Sequence, residues 1–163
     1  MAYVTPLWPA QAEAVEFALA RPAAMLDMGM GCGKTRVAIE AIRRREDVRR
    51  VLVVCPKAVV PVWGRECAKY LDPGTYRVHE RSATVAKTAE ASRAVLDRDP
   101  GDVLELLVVN YDSVWRKPLG DLLCRAADRG ALDMVVLDES HRAKSAGSKV
   151  SKYLAMLGRR VRY

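Results

Sequence analysis

A glycine-rich heptapeptide contains the residues of this chain that are best suited to chemistry. Its sequence is Gly29-Met30-Gly31-Cys32-Gly33-Lys34-Thr35. Glycines let a backbone curl so that successive N–H groups point at a phosphate, and the positive end of a following helix strengthens the attraction. In such a loop the lysine reaches the β- and γ-phosphates and the threonine hydroxyl ligates Mg²⁺. The heptapeptide therefore predicts a loop that binds the phosphates of ATP or GTP.

The residues around the heptapeptide supply the context that a phosphate loop requires. The apolar run from Ala23 to Leu26 predicts a buried strand before the loop. After the loop, Val37, Ala38, Ala41 and Ile42 fall on one face of a predicted helix. This order favours phosphate binding over the alternative, a glycine turn that only joins a strand to a helix. One position departs from the usual eight-residue pattern, which has glycine where this chain has Met28.

A pair of carboxylates follows a second apolar run, far downstream. Met134 to Leu137 predicts a buried strand, and Asp138 and Glu139 come directly after it. Ligands of open α/β sheets bind outside the carboxyl ends of the strands, so these side chains can lie beside Thr35. Asp138 then suits Mg²⁺ binding, and Glu139 suits the orientation and deprotonation of an attacking water. The alternative is a polar strand end that caps a helix.

Strand-like and helix-like patterns alternate along the chain and predict the elements that position these residues. The predicted strands cover residues 23–26, 51–55, 76–79, 104–110 and 134–137. The predicted helices cover residues 11–20, the stretch after the loop, 59–70, 83–96, 122–127 and 148–157. This alternation predicts an α/β fold with a largely parallel central sheet and helices on both faces.

Composition indicates a soluble intracellular domain, with 50% hydrophobic and 29% charged residues. We expect no membrane association and a cytoplasmic location, since no apolar run is long enough to span a bilayer and no signal segment is recognisable. The spacing of Cys32, Cys55, Cys67 and Cys124 predicts no zinc site and no disulfide framework. The excess of arginine over lysine and the abundance of alanine suggest a bacterial or phage genome.

The net charge of +7 favours a polyanionic partner. Arginines at 43–45 contribute to it, although these residues also suit a solvated helix C-terminus. Trp8, Trp63 and Trp115 lie among apolar residues, so we predict core or interface packing for them instead of base stacking. His79 is interpreted as an ordinary residue at a strand end.

Several segments, in order along the chain, resemble the motifs of superfamily 2 helicases. Gly31 to Thr35 resembles motif I, and Asp138-Glu139-Ser140-His141 resembles motif II. Residues 6–11, which end in Gln11, resemble the Q motif; residues 51–57 and 107–112 resemble motifs Ia and Ib. The most specific match is the run from Asp138 through Arg142 and Lys144 to Lys152, which is similar to a signature of the SWI/SNF-like branch.

The resemblance implies a RecA-like P-loop NTPase domain and a role for each matching residue. Gln11 would read the adenine edge, His141 would couple the nucleotide site to motif III, and Thr35 with Asp138 would hold Mg²⁺. The implied catalytic residues are Lys34, Asp138, Glu139 and His141, and the implied ATP-binding residues are Gln11, Gly29, Met30, Gly31, Cys32, Gly33, Lys34 and Thr35. Pro56, Lys57, Asn110 and Tyr111 would contact a nucleic-acid backbone, with duplex DNA favoured.

The resemblance also implies a function: the ATP-binding lobe of a DNA-dependent ATPase, helicase or translocase. A chain of 163 residues suits one domain, so we expect the first RecA-like lobe, ending before motif III and lacking the second lobe of the same polypeptide. Because that lobe would supply an arginine finger, we expect little or no turnover from this chain alone. Two alternatives remain: a nucleotide-binding or docking module without turnover, and a P-loop ATPase unrelated to nucleic acid.

Overall fold

The sheet of this protein has four parallel strands in the order β2-β3-β1-β4. The computed structural model describes residues 6–80, 84–143 and 147–163, with the backbone alone at 142 and 143. The strands are β1 (Arg50–Cys55), β2 (Tyr76–Glu80), β3 (Leu104–Asn110) and β4 (Met134–Leu137). In the central register Val53 lies opposite Val108 of β3 and Val136 of β4. All four strands therefore end at one edge of the sheet.

Alternate residues of the central strands supply two cores, one on each face of the sheet. Leu52 and Val54 of β1 lie in the core that also contains Leu107 and Val109. Val51 and Val53 lie in the opposite core, with Leu106 and Val108. Because both faces are covered, β1 is buried at every position, which explains its continuous run of apolar residues. The predicted parallel sheet with helices on both faces is confirmed.

Seven helices connect and cover the strands in the described part of the chain. They are α1 (Pro9–Leu19), α2 (Lys34–Arg43), α3 (Val60–Tyr70), α4 (Val85–Leu96), the single turn α5 (Tyr111–Val114), α6 (Leu119–Asp128) and α7 (Lys149–Gly158). Short 3₁₀ turns cover Lys57–Val59 and Ser140–Ala143. Side-chain oxygens of Thr84, Asn110 and Ser148 accept hydrogen bonds from N–H groups in the first turns of α4, α5 and α7. Within the described residues no helix combines the length and the apolar character of a membrane span.

One predicted strand is wrong. Residues 23–26 form no strand, and Met25 is 72% exposed. The segment has no strand partner in the described part of the sheet, so its backbone cannot form a ladder. A cavity instead lies between this segment and β4, and Tyr163 pairs with the β4 edge through bonds to Asp133 and Val135. An apolar run shows that a segment is hydrophobic, but it does not show that the segment pairs with another strand.

The three tryptophans have different environments. Trp63 is 1% exposed, and Trp115 packs against the edge of one core, as predicted. Trp8 is 61% exposed, so it does not pack in a core, and interface packing stays a prediction for this residue. The reason lies in its position: Trp8 is the N-cap of α1, where the chain enters the helix at the surface.

A buried carboxylate lies near the amino ends of the strands, at the end of the sheet opposite to Asp138. Glu105 of β3 has no exposed side-chain surface. Its Oε2 lies 2.6 Å from Nε2 of His79, and its Oε1 accepts hydrogen bonds from Arg77, at 3.1 Å, and from Arg98. His79 is therefore a member of a buried charge cluster and not an ordinary strand-end residue. This cluster attaches β2 and the α4–β3 connection to the centre of the sheet.

Candidate nucleotide and magnesium site

The glycine loop has the backbone conformation that its sequence predicts. Gly31 and Gly33 both have φ of +77°, in the left-handed region that favours glycine. A backbone bond from the Cys32 N–H to the Gly29 carbonyl closes the loop, and α2 begins directly after Gly33. The start of α2 places Lys34 and Thr35 in its first turn. The loop therefore delivers both residues to the positive end of a helix.

Lys34 lies across its own loop. Its Nζ donates hydrogen bonds to the carbonyl oxygens of Met28, at 3.0 Å, and Gly29, at 3.1 Å. Met28 contributes its backbone oxygen, and it is not among the described residues with a positive φ. A glycine is therefore not required at this position, which accounts for the departure from the usual pattern. Met30, at the loop tip, is fully exposed.

Gln11 connects α1 to the glycine loop. Its side chain is 4% exposed; Oε1 accepts from the Trp8 N–H and Nε2 donates to the Cys32 carbonyl, both at 3.1 Å. A Cβ on Gly33 would lie 2.6 Å from the same Nε2, so glycine is also required there by close packing. The structure gives Gln11 a loop-supporting contact that sequence reasoning missed. Its contact with adenine stays a prediction.

Three hydrogen bonds fix Asp138 at the end of β4. Its N–H donates to the Val54 carbonyl at 2.9 Å, which continues the β1–β4 pairing. The Tyr111 hydroxyl donates to the Asp138 carbonyl at 2.9 Å. The third bond holds the side chain: the indole Nε1 of Trp63 donates to Oδ2 of Asp138 at 2.9 Å. Sequence reasoning missed the contribution of Trp63, because nothing in an apolar helix pattern shows which acceptor a buried indole will meet.

Glu139 adopts an unusual backbone conformation beside Asp138. Its φ is +56°, a left-handed value that is unfavourable for residues with a Cβ and recurs at functional sites. The carboxylate Oε2 of Glu139 lies 3.1 Å from Nδ1 of His141, and both side chains are about half exposed. The turn at Glu139 therefore presents a carboxylate and an imidazole together at the strand end.

One cavity brings the two predicted halves of the site together. It has a volume of about 630 Å³ and runs along β4, between that strand, residues 21–28 and α2, as far as Asp138 at the carboxyl end of β4. The predicted residues that line it are Lys34, Thr35, Asp138, Glu139 and His141, and Trp63 lines it as well. Ligands of α/β sheets bind outside the carboxyl ends of the strands, so the end of the cavity at Asp138 is the part that suits a ligand.

The four residues predicted to contact nucleic acid divide into two pairs. Lys57 is exposed after β1, with Pro56 partly exposed beside it. Asn110 and Tyr111 are buried, at 9% and 7% exposure, and their side chains cap α5 and hold Asp138. The second pair thus supports the strand ends from within the domain.

The three arginines at the end of α2 make contacts within the domain. Arg43 and Arg44 pair with Glu40, and Arg44 also pairs with Glu16 of α1. Arg45 donates to the carbonyls of Ala18 and Arg21 and stacks on Tyr163. This arrangement favours the helix-terminus interpretation over a polyanion contact. The side chain of Arg142 and all of Lys144 lie outside the described residues.

The residues around the cavity fit a magnesium–nucleotide complex. A left-handed glycine loop at a helix start, a lysine held by loop carbonyls, and a hydroxyl and a carboxylate on one cavity are the donors that the group requires. The parallel sheet with its covering helices matches a RecA-like lobe.

The chain belongs to the SNF2-related domain family, which matches residues 10–163. This family consists of ATPases and translocases. In fold the chain is similar to the Sulfolobus solfataricus SWI2/SNF2 ATPase core in complex with dsDNA, with a TM-score of 0.55 and 16% sequence identity. The match covers 93% of this chain and 36% of the Sulfolobus chain, so this chain spans about a third of that relative. No curated protein matches the chain in sequence.

Proposed function

We propose that this chain is the ATP-binding lobe of a DNA-dependent ATPase that translocates along duplex DNA. The observation that carries the proposal is that Lys34, Thr35, Asp138 and Glu139 line the same cavity, in a chain of the SNF2-related family. A glycine loop alone predicts phosphate binding. The carboxylates on the same cavity add the groups needed for hydrolysis.

The residues have distinct roles in the proposed reaction. Lys34 exchanges its bonds to the Met28 and Gly29 carbonyls for the β- and γ-phosphates. Thr35 and Asp138 would hold Mg²⁺, which when bound would neutralise charge on the phosphate oxygens. Glu139 takes a proton from water as the water oxygen bonds to the γ-phosphorus and the bond to the β–γ bridging oxygen breaks. The products are ADP and inorganic phosphate. His141 positions the Glu139 carboxylate through the 3.1 Å contact.

The proposed DNA contacts lie at the same edge of the sheet. Lys57 and Pro56 follow β1, and an exposed lysine there suits a phosphate contact that is independent of sequence and weakened by salt. The relative in the Sulfolobus structure is in complex with dsDNA, which supports duplex DNA as the partner here. We also propose that a second RecA-like lobe of the same polypeptide completes the motor, since this chain matches 36% of that relative.

ATP hydrolysis by the full-length gene product, with and without duplex DNA, tests the proposal. We expect DNA to raise the rate, and we expect Lys34→Ala and Glu139→Gln to abolish it. Lys34→Ala should also weaken nucleotide binding, whereas Glu139→Gln should leave binding intact because that carboxylate acts on the attacking water. Lys87→Ala, on the exposed face of α4, removes the same charge outside the cavity and should retain activity.

Two outcomes would replace the proposal by an alternative. Nucleotide binding without turnover in the full-length product would indicate a nucleotide-binding or docking module. Turnover that DNA does not change, together with no DNA binding at low salt, would indicate a P-loop ATPase unrelated to nucleic acid.

A further inference from the structure

Trp63 of α3 makes a contact that its place in the core does not require. It is 1% exposed and packs in the core that covers β1 and β3. A buried indole N–H needs an acceptor, and a backbone carbonyl would serve. Trp63 instead donates to Oδ2 of Asp138, at 2.9 Å, and also lines the cavity. The bond therefore joins the core to the one carboxylate proposed to hold Mg²⁺.

We infer that Trp63 is a positioning residue that orients the Asp138 carboxylate for Mg²⁺. This inference rests on the proposed function, because it assigns a cause for the geometry of a proposed metal ligand. The Asp138 backbone is already fixed by bonds to Val54 and Tyr111. Only the side-chain torsions of Asp138 can then still vary. The bond from Trp63 restricts those torsions.

The chemistry of the donor suits this role. An indole N–H donates one hydrogen bond and carries no charge. It therefore holds the carboxylate plane without neutralising its negative charge, whereas arginine or lysine at the same place would compete with a bound cation. A carboxylate has about four acceptor sites on its two oxygens, so the tether leaves acceptor capacity for a metal-bound water.

Asp138 also has a structural need for such a tether. It follows β4, where Leu137 is 37% exposed, and it borders the cavity on the side away from β1. Packing around the side chain is consequently incomplete on one side. Outer hydrogen-bond partners of metal ligands typically change metal affinity by 10- to 100-fold when they are removed.

The test measures the Mg²⁺ dependence of nucleotide binding to the full-length gene product, with a fluorescent ATP analogue as the probe. Trp63→Phe retains an aromatic ring and removes the N–H. We expect it to raise the Mg²⁺ concentration for half-maximal binding about tenfold, with unchanged nucleotide affinity in excess chelator. Trp115→Phe makes the same substitution on an indole that does not line the cavity, and it should behave as wild type.

A second variant covers the case in which Trp63→Phe disturbs packing or folding. Benzothienylalanine at position 63 replaces the indole N–H by sulfur in a ring of nearly the same shape, so it removes the hydrogen bond and retains the volume. This variant should show the same increase in the Mg²⁺ concentration for half-maximal binding. In an Asp138→Asn background, Trp63→Phe should add nothing to the Mg²⁺ dependence, because the two residues act as one unit.

The outcomes separate this inference from the proposed function. The inference would be overturned if both Trp63 replacements kept the Mg²⁺ concentration for half-maximal binding within twofold of the wild-type value. The proposed function could still hold in that case. An equal loss of nucleotide affinity with and without Mg²⁺ would also overturn it, since that is the signature of a purely structural residue. Unchanged nucleotide binding in Lys34→Ala would instead contradict the proposed function itself.

Discussion

Replacement of Glu105 by glutamine should destabilise the protein and remove part of its sensitivity to acid. The glutamine retains the shape of the side chain but cannot balance the charges of Arg77 and Arg98. The amide oxygen can still accept from both arginines, but the amide nitrogen would then replace Oε2 and face the His79 ring where an acceptor oxygen stood. The substitution lies at the end of the sheet away from the cavity, so it tests the account of the fold separately from the site.

The expected loss is about 3 kcal/mol of unfolding free energy at pH 7. Removal of one partner from a buried ion pair costs about 3–5 kcal/mol. The lower end applies because the side chains of Arg77 and Arg98 are 54% and 42% exposed, so they regain water when Glu105 loses its charge. For a chain of this length, about 3 kcal/mol corresponds to a melting temperature lower by about 6–12 °C.

The pH dependence has a defined sign. Burial raises the pKa of Glu105, but hydrogen bonds from His79, Arg98 and Arg77 outweigh it and hold the pKa below its ordinary value of 4.5. A carboxyl group whose pKa is lower in the folded state stabilises the protein above its unfolded pKa. That stabilisation disappears as the pH falls through the folded pKa. The difference between wild type and Glu105→Gln should therefore be full at pH 7 and shrink progressively below pH 4.5.

Urea denaturation at a series of pH values measures this difference. Glu90→Gln is the matched control, because it removes one carboxylate from the exposed face of α4 and should change stability by less than about 0.5 kcal/mol. A difference for Glu105→Gln that is under about 1 kcal/mol at pH 7, or that stays constant down to pH 3, would refute the reasoning about the buried cluster.

Four further substitutions test individual contacts. Gly31→Ala and Gly33→Ala both place a Cβ on a residue with φ of +77°, and we expect this strain to lower the unfolding free energy by about 1–2 kcal/mol in each variant. Only the Cβ at position 33 would also clash, because it would lie 2.6 Å from Nε2 of Gln11. Urea denaturation should therefore show the larger loss for Gly33→Ala, and equal losses would contradict the close packing of Gln11. Tyr111→Phe removes the hydroxyl bond to Asp138, and we expect a loss of about 1 kcal/mol in the same assay. No loss would show that water replaces this bond. Asp133→Asn weakens an acceptor that binds the N–H groups of Arg49 and Arg50 at 2.8 Å, and a melting temperature lower by about 2–6 °C is expected. An unchanged melting temperature would mean that the amide oxygen serves equally well.

Much of the fold follows from local patterns in the sequence. The β3 and β4 strands have the predicted bounds, because each is built on a short apolar run, residues 106–109 in β3 and 134–137 in β4. The helix after the glycine loop buries Val37 and Ile42, which the helical spacing predicts. Local patterns were insufficient for residues 23–26. A strand requires a partner strand, and the sequence of one segment does not show which segment will lie beside it.

The candidate site was predictable as a set of residues but not as a network. The glycine loop and the Asp138–Glu139 pair have recognisable sequences, and the cavity brings them together. The bond from Trp63 joins residues 75 positions apart, and only the packing of α3 against the sheet determines it. The environment of His79 likewise depends on Glu105, which lies on another strand. Contacts between elements that are distant in sequence are the part that sequence patterns do not encode.

The most direct test of the central claim is a crystal structure of the full-length gene product with Mg²⁺ and a non-hydrolysable ATP analogue. The account predicts the phosphates in the loop of residues 29–35, Lys34 released from the Met28 and Gly29 carbonyls, and the metal between Thr35 and Asp138. A nucleotide bound elsewhere, with Lys34 still on those two carbonyls, would contradict it.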